Sequence, residues 1–174
     1  MGILNKTKVY LGGNLQHTDD AEGWRNRLST ELNKRGIEVL DPTKQMFLGQ
    51  EAETQEARNQ LKIWQQEENF EAIHDFMKEV IRRDLRAVDL STFLIFRLEP
   101  DKPTFGTLTE ITVAAMQRKP LLFILDDKKK MPLWLIGMVN MDFVFDSEES
   151  LLKYIQLADH GYVSLDTKYW KIPI

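Results

Sequence analysis

Cysteine is absent from the 174-residue chain, which excludes thiol nucleophiles, thiolate-bound zinc and iron–sulfur clusters. Disulfide staples are excluded with it, and a chain this long can bury enough apolar surface to fold without them. Histidine is scarce. His17, His74 and His160 are scattered along the sequence, a poor basis for a metal site, and no metal or organic cofactor is expected. A basic excess is also lacking, with 23 Lys and Arg against 27 Asp and Glu and a net charge of −4. Nucleic-acid binders normally carry such an excess, so no nucleic-acid partner is expected. Apolar runs such as residues 121–125 fall far short of the ~20 residues that span a bilayer. Residues 1–8 lack the pattern of a cleavable signal. These absences lead to the expectation of a soluble, cytoplasmic, acidic domain without a membrane partner. Its chemistry must rest on carboxylates, hydroxyls, amides and backbone.

Short apolar runs alternate with helical patterns. KVYL (8–11), IEVL (37–40), FLIF (93–96), LLFIL (121–125) and FVF (143–145) read as strands. Their continuous apolar character suits a sheet covered on both faces. Ala21, Trp24, Leu28 and Leu32 recur at helical spacing, and Gly36 stands where a helix-ending glycine belongs. Residues 107–118 read as a second helix, and residues 147–158 as a third with Ser147 as its N-cap. This alternation predicts one domain over residues 1–174: a Rossmann-like open α/β sheet of about five mostly parallel strands with helices on both faces. Residues 51–89 break the rhythm with two predicted helices, roughly 51–69 and 71–89. The first forms a helical insertion at about 51–70, read as a solvated surface, a lid or an oligomer contact.

Three pieces converge where open α/β sheets gather ligands, beyond the carboxyl ends of the strands. YLGGN (10–14) ends the first strand; its glycines either make a simple turn or bring amides close to an anion. Asp84 falls on the apolar stripe Ile73, Met77, Val80 and Val88. A carboxylate there must be paired or functional. A salt bridge to Arg82 or Arg83 is the plain alternative, set against the rule that adjacent helical side chains do not face each other. PTFGTLTE (103–110) follows the third strand and opens a helix. Thr107 and Glu110 have capping-box spacing, which would make Glu110 structural. The same position beyond a strand end also suits a nucleophile.

Together these residues resemble the nucleoside 2-deoxyribosyltransferase family and the related nucleoside 5′-monophosphate N-glycosidases. The resemblance runs through Val9 to Gly13, Trp24 and Arg25, Glu38 to Pro42, Arg83-Asp84-Leu85, and Gly106 with Glu110. It implies N-glycosidic bond cleavage on a small nucleoside or nucleotide, with Glu110 as the carboxylate nucleophile. By the same resemblance, Asp84 would orient that nucleophile or manage the proton of the departing base, and Tyr10 would lie beside the sugar. Gly12, Gly13, Asn14 and Gly106 would surround the substrate, and Gln45 or a neighbour would meet the base. Arg25 is either a pocket residue or an exposed helix charge.

The chain departs from the family pattern at Leu108, Thr112 and Thr92. It also carries Thr104 where deoxyribosyltransferases have an acidic residue and monophosphate hydrolases tend to have Ser. A neutral hydroxyl tolerates a phosphate that a carboxylate repels, so Thr104 leans toward nucleotides. The segment from Met131 through Trp134 to Asn140 and Asp142 resembles the part that reaches a neighbouring subunit's site. A homo-oligomer with shared active sites is therefore expected. The aromatic tail, residues 162–174, is expected to dock on its own domain or on a partner. Residues 105–110 also resemble the glycine-rich loop of phosphoribohydrolases of the lysine-decarboxylase-like group, with only one of its glycines. A nucleotide-binding module without catalysis is the remaining alternative.

Overall fold

The computed structural model describes residues 2–15, 20–47, 54–102 and 104–163. Expectations that fall on His17, residues 51–53, Pro103 and the tail from 164 onward lie outside them. In chain order the elements are β1 (Lys8–Gly13), α1 (Gly23–Asn33), β2 (Glu38–Leu40), α2 (Gln55–Gln66), α3 (Phe70–Leu90) and β3 (Phe93–Arg97). There follow α4 (Phe105–Met116), β4 (Leu121–Ile124), α5 (Leu133–Ile136), β5 (Val144–Phe145) and α6 (Glu148–Asp159). The five strands form one sheet in the order β2-β1-β3-β4-β5, and every pairing is parallel. The direction of winding reverses between β1 and β3, which opens a crevice at their carboxyl ends.

The two-residue period of the strands decides which helices each residue meets. Val9, Leu11, Phe93, Ile95, Leu122 and Ile124 pack with Trp24, Leu28 and Leu32 of α1 and Leu151 and Ile155 of α6. Tyr10, Leu94, Phe96, Leu121 and Phe123 point the other way, onto Ala87 and Val88 of α3 and Ile111 and Ala114 of α4. Phe96 stacks on Phe123 with centroids 6.0 Å apart, and Tyr10 meets Phe96 edge-on at 6.3 Å. Burying each such ring contributes roughly 1.5–3 kcal/mol, so this layer is firm beneath the site. Tyr10 thereby comes under α3 and α4.

Helix ends follow local chemistry. Gly36 takes φ +75° in the turn after α1, and Ser147 caps α6 by accepting from the Ser150 amide, both as expected. The α2–α3 junction, undefined by sequence, is made by Glu68 at φ +56° and by Asn69, whose side chain accepts from the Ala72 amide. Trp64 of α2 packs edge-on to Phe76 of α3 at 6.4 Å. The start of α4 corrects the sequence reading. Thr104, not Thr107, is the N-cap, accepting from the Thr107 amide at 3.4 Å. Glu110 therefore lies in the second turn, too far along to reach the cap, and the expected capping box does not form. Among the described residues, no helix is long and apolar enough to cross a membrane.

Candidate active site

A cavity of about 750 Å³ opens at the β1–β3 crevice, lined by Tyr10, Gly13, Asn14, Asp84, Thr104, Gly106 and Glu110 among others. Three elements deliver its polar groups. Strand β1 brings Tyr10 up from the sheet, α3 brings Asp84 from one side, and the second turn of α4 brings Glu110 from above. The wall between them is apolar, made by Met77, Val80, Ile81 and Leu85 of α3.

The hydroxyl of Tyr10 donates to Oε1 of Glu110 over 3.0 Å. Burial pushes the Tyr10 phenol well above its ordinary range, and the negative charges of Glu110 and Asp84 push the same way, against a smaller pull from Arg25. Tyr10 thus stays protonated and remains a donor. Asp84 is buried, and burial raises its pKa; the charge and hydrogen bond of Arg83, and then Arg25, pull it down.

Arg83 is where the sequence argument fails. Its Nε donates to Oδ1 of Asp84 at 2.9 Å, and its Nη2 lies 2.9 Å from the same oxygen. Adjacent side chains leave a helix about 100° apart, but the long Arg stem folds back across that arc inside the protein. Spacing rules that describe exposed pairs do not bind a buried guanidinium that has a carboxylate within reach. Asp84 is therefore both paired and turned to the cavity.

The remaining candidates divide. Gly13 and Asn14 line the cavity, and the Asn14 side-chain amide donates to the Lys102 carbonyl at 3.1 Å, tying the β1 turn to the β3 loop. Gly12 serves packing instead: a Cβ there would come within 2.1 Å of the Phe96 ring. At Gly13 the backbone has φ +143°, and a Cβ would stand 2.8 Å from the Arg97 carbonyl. Gly106 stands at the mouth, with nothing within 4 Å of where a Cβ would be. Thr104 lines the cavity while capping α4, its hydroxyl 2.8 Å from that of Thr107.

Arg25 fits neither alternative offered for it. It is fully buried beneath the cavity rather than on its wall, and it donates to the carbonyls of Leu11, Gly13 and Ala21. Asp41, at the end of β2, lies 3.7 Å from its Nε. Arg25 is thus a clamp on the β1 turn. Gln45 is exposed and away from the wall. Asn140 and Asp142 sit at the short 3-10 turn before β5, where the Asn140 side chain accepts from the Asp142 amide, outside this cavity.

Sequence reasoning missed Lys102 and Asp101, which line the cavity from the β3 loop. Their place just past the end of the third strand was the available signal. It named Arg83 as a partner for Asp84 but set that pairing aside on helix spacing, and the pair forms. Among the described residues, no group of three or more His, Asp or Glu is arranged to hold a metal ion.

A family model described as nucleoside 2-deoxyribosyltransferase matches residues 9–163. No curated protein sequence matches the chain. Among solved structures it is similar to a 2-deoxyribosyltransferase from Bacillus psychrosaccharolyticus, at 13% identity and TM-score 0.57, over 97% of this chain and 100% of the other. It is similar to a CMP N-glycosidase from Clostridium botulinum at 15% identity and TM-score 0.51, over 86% and 98%. A conserved protein from Enterococcus faecalis matches at 17% identity and TM-score 0.53, over 86% and 97%. At such identities the likeness is one of fold.

Proposed function

The chain belongs to the nucleoside 2-deoxyribosyltransferase family, and on that premise we propose that it cleaves the N-glycosidic bond of a nucleoside or nucleotide with Glu110 as nucleophile. The observation that carries this reading is the convergence of Tyr10, Asp84 and Glu110 on one cavity, with a Glu110 oxygen held by the Tyr10 hydroxyl. A carboxylate of Glu110 attacks the anomeric carbon, the bond to the base nitrogen breaks, and the electron pair leaves with the base. Asp84, whose burial favours the protonated form, supplies a proton to that nitrogen. The result is a glycosyl ester on Glu110. A second free base resolves it in base exchange, and water resolves it in hydrolysis.

A 5′-monophosphate substrate is the reading that Thr104 and Lys102 favour. Both line the cavity just ahead of α4, Thr104 as its N-cap and Lys102 in the loop before it, where a helix N-terminus and a cation suit a phosphate. The segment bearing Leu133 and Trp134, both largely exposed, with Asn140 and Asp142 beyond it, is proposed to complete the site of a neighbouring copy in a homo-oligomer.

The deciding experiment incubates the protein with deoxynucleosides and with deoxynucleoside 5′-monophosphates, each with and without a second base. Base exchange without net sugar release identifies the transferase. Release from monophosphates alone identifies the hydrolase. Tight binding without turnover identifies a binding module, and full activity in Glu110→Ala overturns the mechanism.

A further inference from the structure

The Arg83–Asp84 contact has a direction that the ion pair alone does not require. Two nitrogens of Arg83 lie 2.9 Å from the same atom, Oδ1. Oδ2 of Asp84 takes no hydrogen bond from any described residue, and Asp84 lines the cavity. The two carboxylate oxygens are therefore unequal. One is committed to a buried guanidinium, and the other is the oxygen available to a ligand.

We propose that Arg83 is a positioning residue, which fixes the rotation of the Asp84 carboxyl and makes Oδ2 the oxygen that exchanges a proton with the departing base. This rests on the proposed N-glycosidic reaction. An oxygen facing two cationic nitrogens is a poor place for a proton, so protonation of Asp84 is directed to Oδ2. A freely rotating carboxyl would offer the base either oxygen, or neither at the right angle, and such misplacement is costly in rate. Other charged and titratable groups face Asp84 without sharing this role. Tyr10 lies across on β1 and Glu110 on α4, both on the cavity wall, while Arg25 acts on Asp84 from α1 beneath. None of these donates a hydrogen bond to it.

The test pairs a kinetic cycle with a readout that needs no activity. In Arg83→Met, kcat is expected to fall at least about tenfold, within the range of lost acid–base assistance, with KM changed less than about threefold. In an Asp84→Asn background the same change is expected to cost less than about threefold, because its target is gone. Separately, carbon-13 NMR of the Asp84 carboxyl is expected to show its titration moving upward in Arg83→Met. Arg83→Lys keeps the charge but not the planar guanidinium and its Nε–H donor. It is expected to leave the titration near wild type while losing kcat, and it carries the comparison if Arg83→Met does not fold. Equal losses with and without Asp84, or an Asp84 titration unmoved by Arg83→Met, would overturn the proposal. If the wild-type protein cleaves no nucleoside or nucleotide, the functional reading fails by itself. The assignment of Oδ2 to the base then falls with it, and the NMR arm alone decides whether Arg83 governs Asp84.

Discussion

Tyr10 and Glu110, separated by 100 positions in sequence, share a 3.0 Å hydrogen bond in which the phenol donates to the carboxylate. Neither side chain could make it alone. Tyr10 points upward because it alternates with Val9 and Leu11, which pack on the opposite face. Glu110 points down because Thr104 starts α4 early enough to turn its second turn over the sheet. The bond holds one carboxylate oxygen in place, as a pre-positioned nucleophile requires.

Tyr10 is expected to be among the last of the four tyrosines to ionise, since burial and then Glu110 and Asp84 all raise its pKa. Ultraviolet titration of the wild type and of Tyr10→Phe should coincide through the ordinary phenol range near pH ~10 and part only above it. A tyrosinate signal lost from the ordinary range in Tyr10→Phe would contradict the burial argument. The same variant should lose about 1 kcal/mol of stability and at least about tenfold in kcat.

Asp84 predicts a pH dependence of stability. Its folded-state pKa is raised by burial, against the opposing pull of Arg83 and Arg25. A raised carboxyl holds its proton more tightly when folded. Its contribution is present below the unfolded pKa and is lost as pH rises through the folded one. The lowered pKa values of Asp20 and Asp146 act with opposite sign and at lower pH. Urea denaturation between pH 4 and 8 should show stability declining with pH in the wild type, and that component should vanish in Asp84→Asn. A slope that survives the substitution belongs to another group.

Thr104→Asp separates helix capping from substrate charge. Aspartate caps a helix at least as well as threonine, so Tm should stay within about 2 °C. A carboxylate on the cavity wall repels a phosphate. KM for a 5′-monophosphate should therefore rise at least about tenfold, while KM for the corresponding nucleoside holds or falls. Equal effects on both substrates would show that Thr104 does not meet the 5′ position.

Gly13→Ala should cost at least about 2 kcal/mol, measured by urea denaturation. Gly13 pairs with Arg97 in the parallel register, its φ is +143°, and an added Cβ would stand 2.8 Å from the Arg97 carbonyl. Backbone on the neighbouring strand cannot step aside as a side chain can. A loss below about 0.5 kcal/mol would mean that the turn relaxes freely.

Much of the fold was legible because strand and helix periods are local. The alternation of Val9, Tyr10 and Leu11, the apolar core of β3 and the Ser147 cap each follow from a few neighbouring residues. The site was less legible, since it depends on choices between local signals of similar strength. Thr104 and Thr107 are both acceptable caps, and a spacing rule cannot say which one the preceding loop delivers. Arg25 read as an exposed charge or a ligand group, because nothing local reveals that three carbonyls at the end of β1 and the start of α1 await it. Arg83 was dismissed by a rule for surface pairs that a buried, flexible side chain escapes.

The choice of Thr104 as cap also sets a constraint on length. Each α-helical residue advances about 100° around the axis, so the count of positions from cap to carboxylate fixes the bearing of Glu110 as firmly as its chemistry fixes its charge. Residues 105–109 can vary in kind while that bearing holds. Adding or deleting one of them would swing the carboxylate about a quarter-turn away from Tyr10, with every side chain of the site intact. For this stretch of chain, related sequences should differ by substitution and hardly ever by a gap.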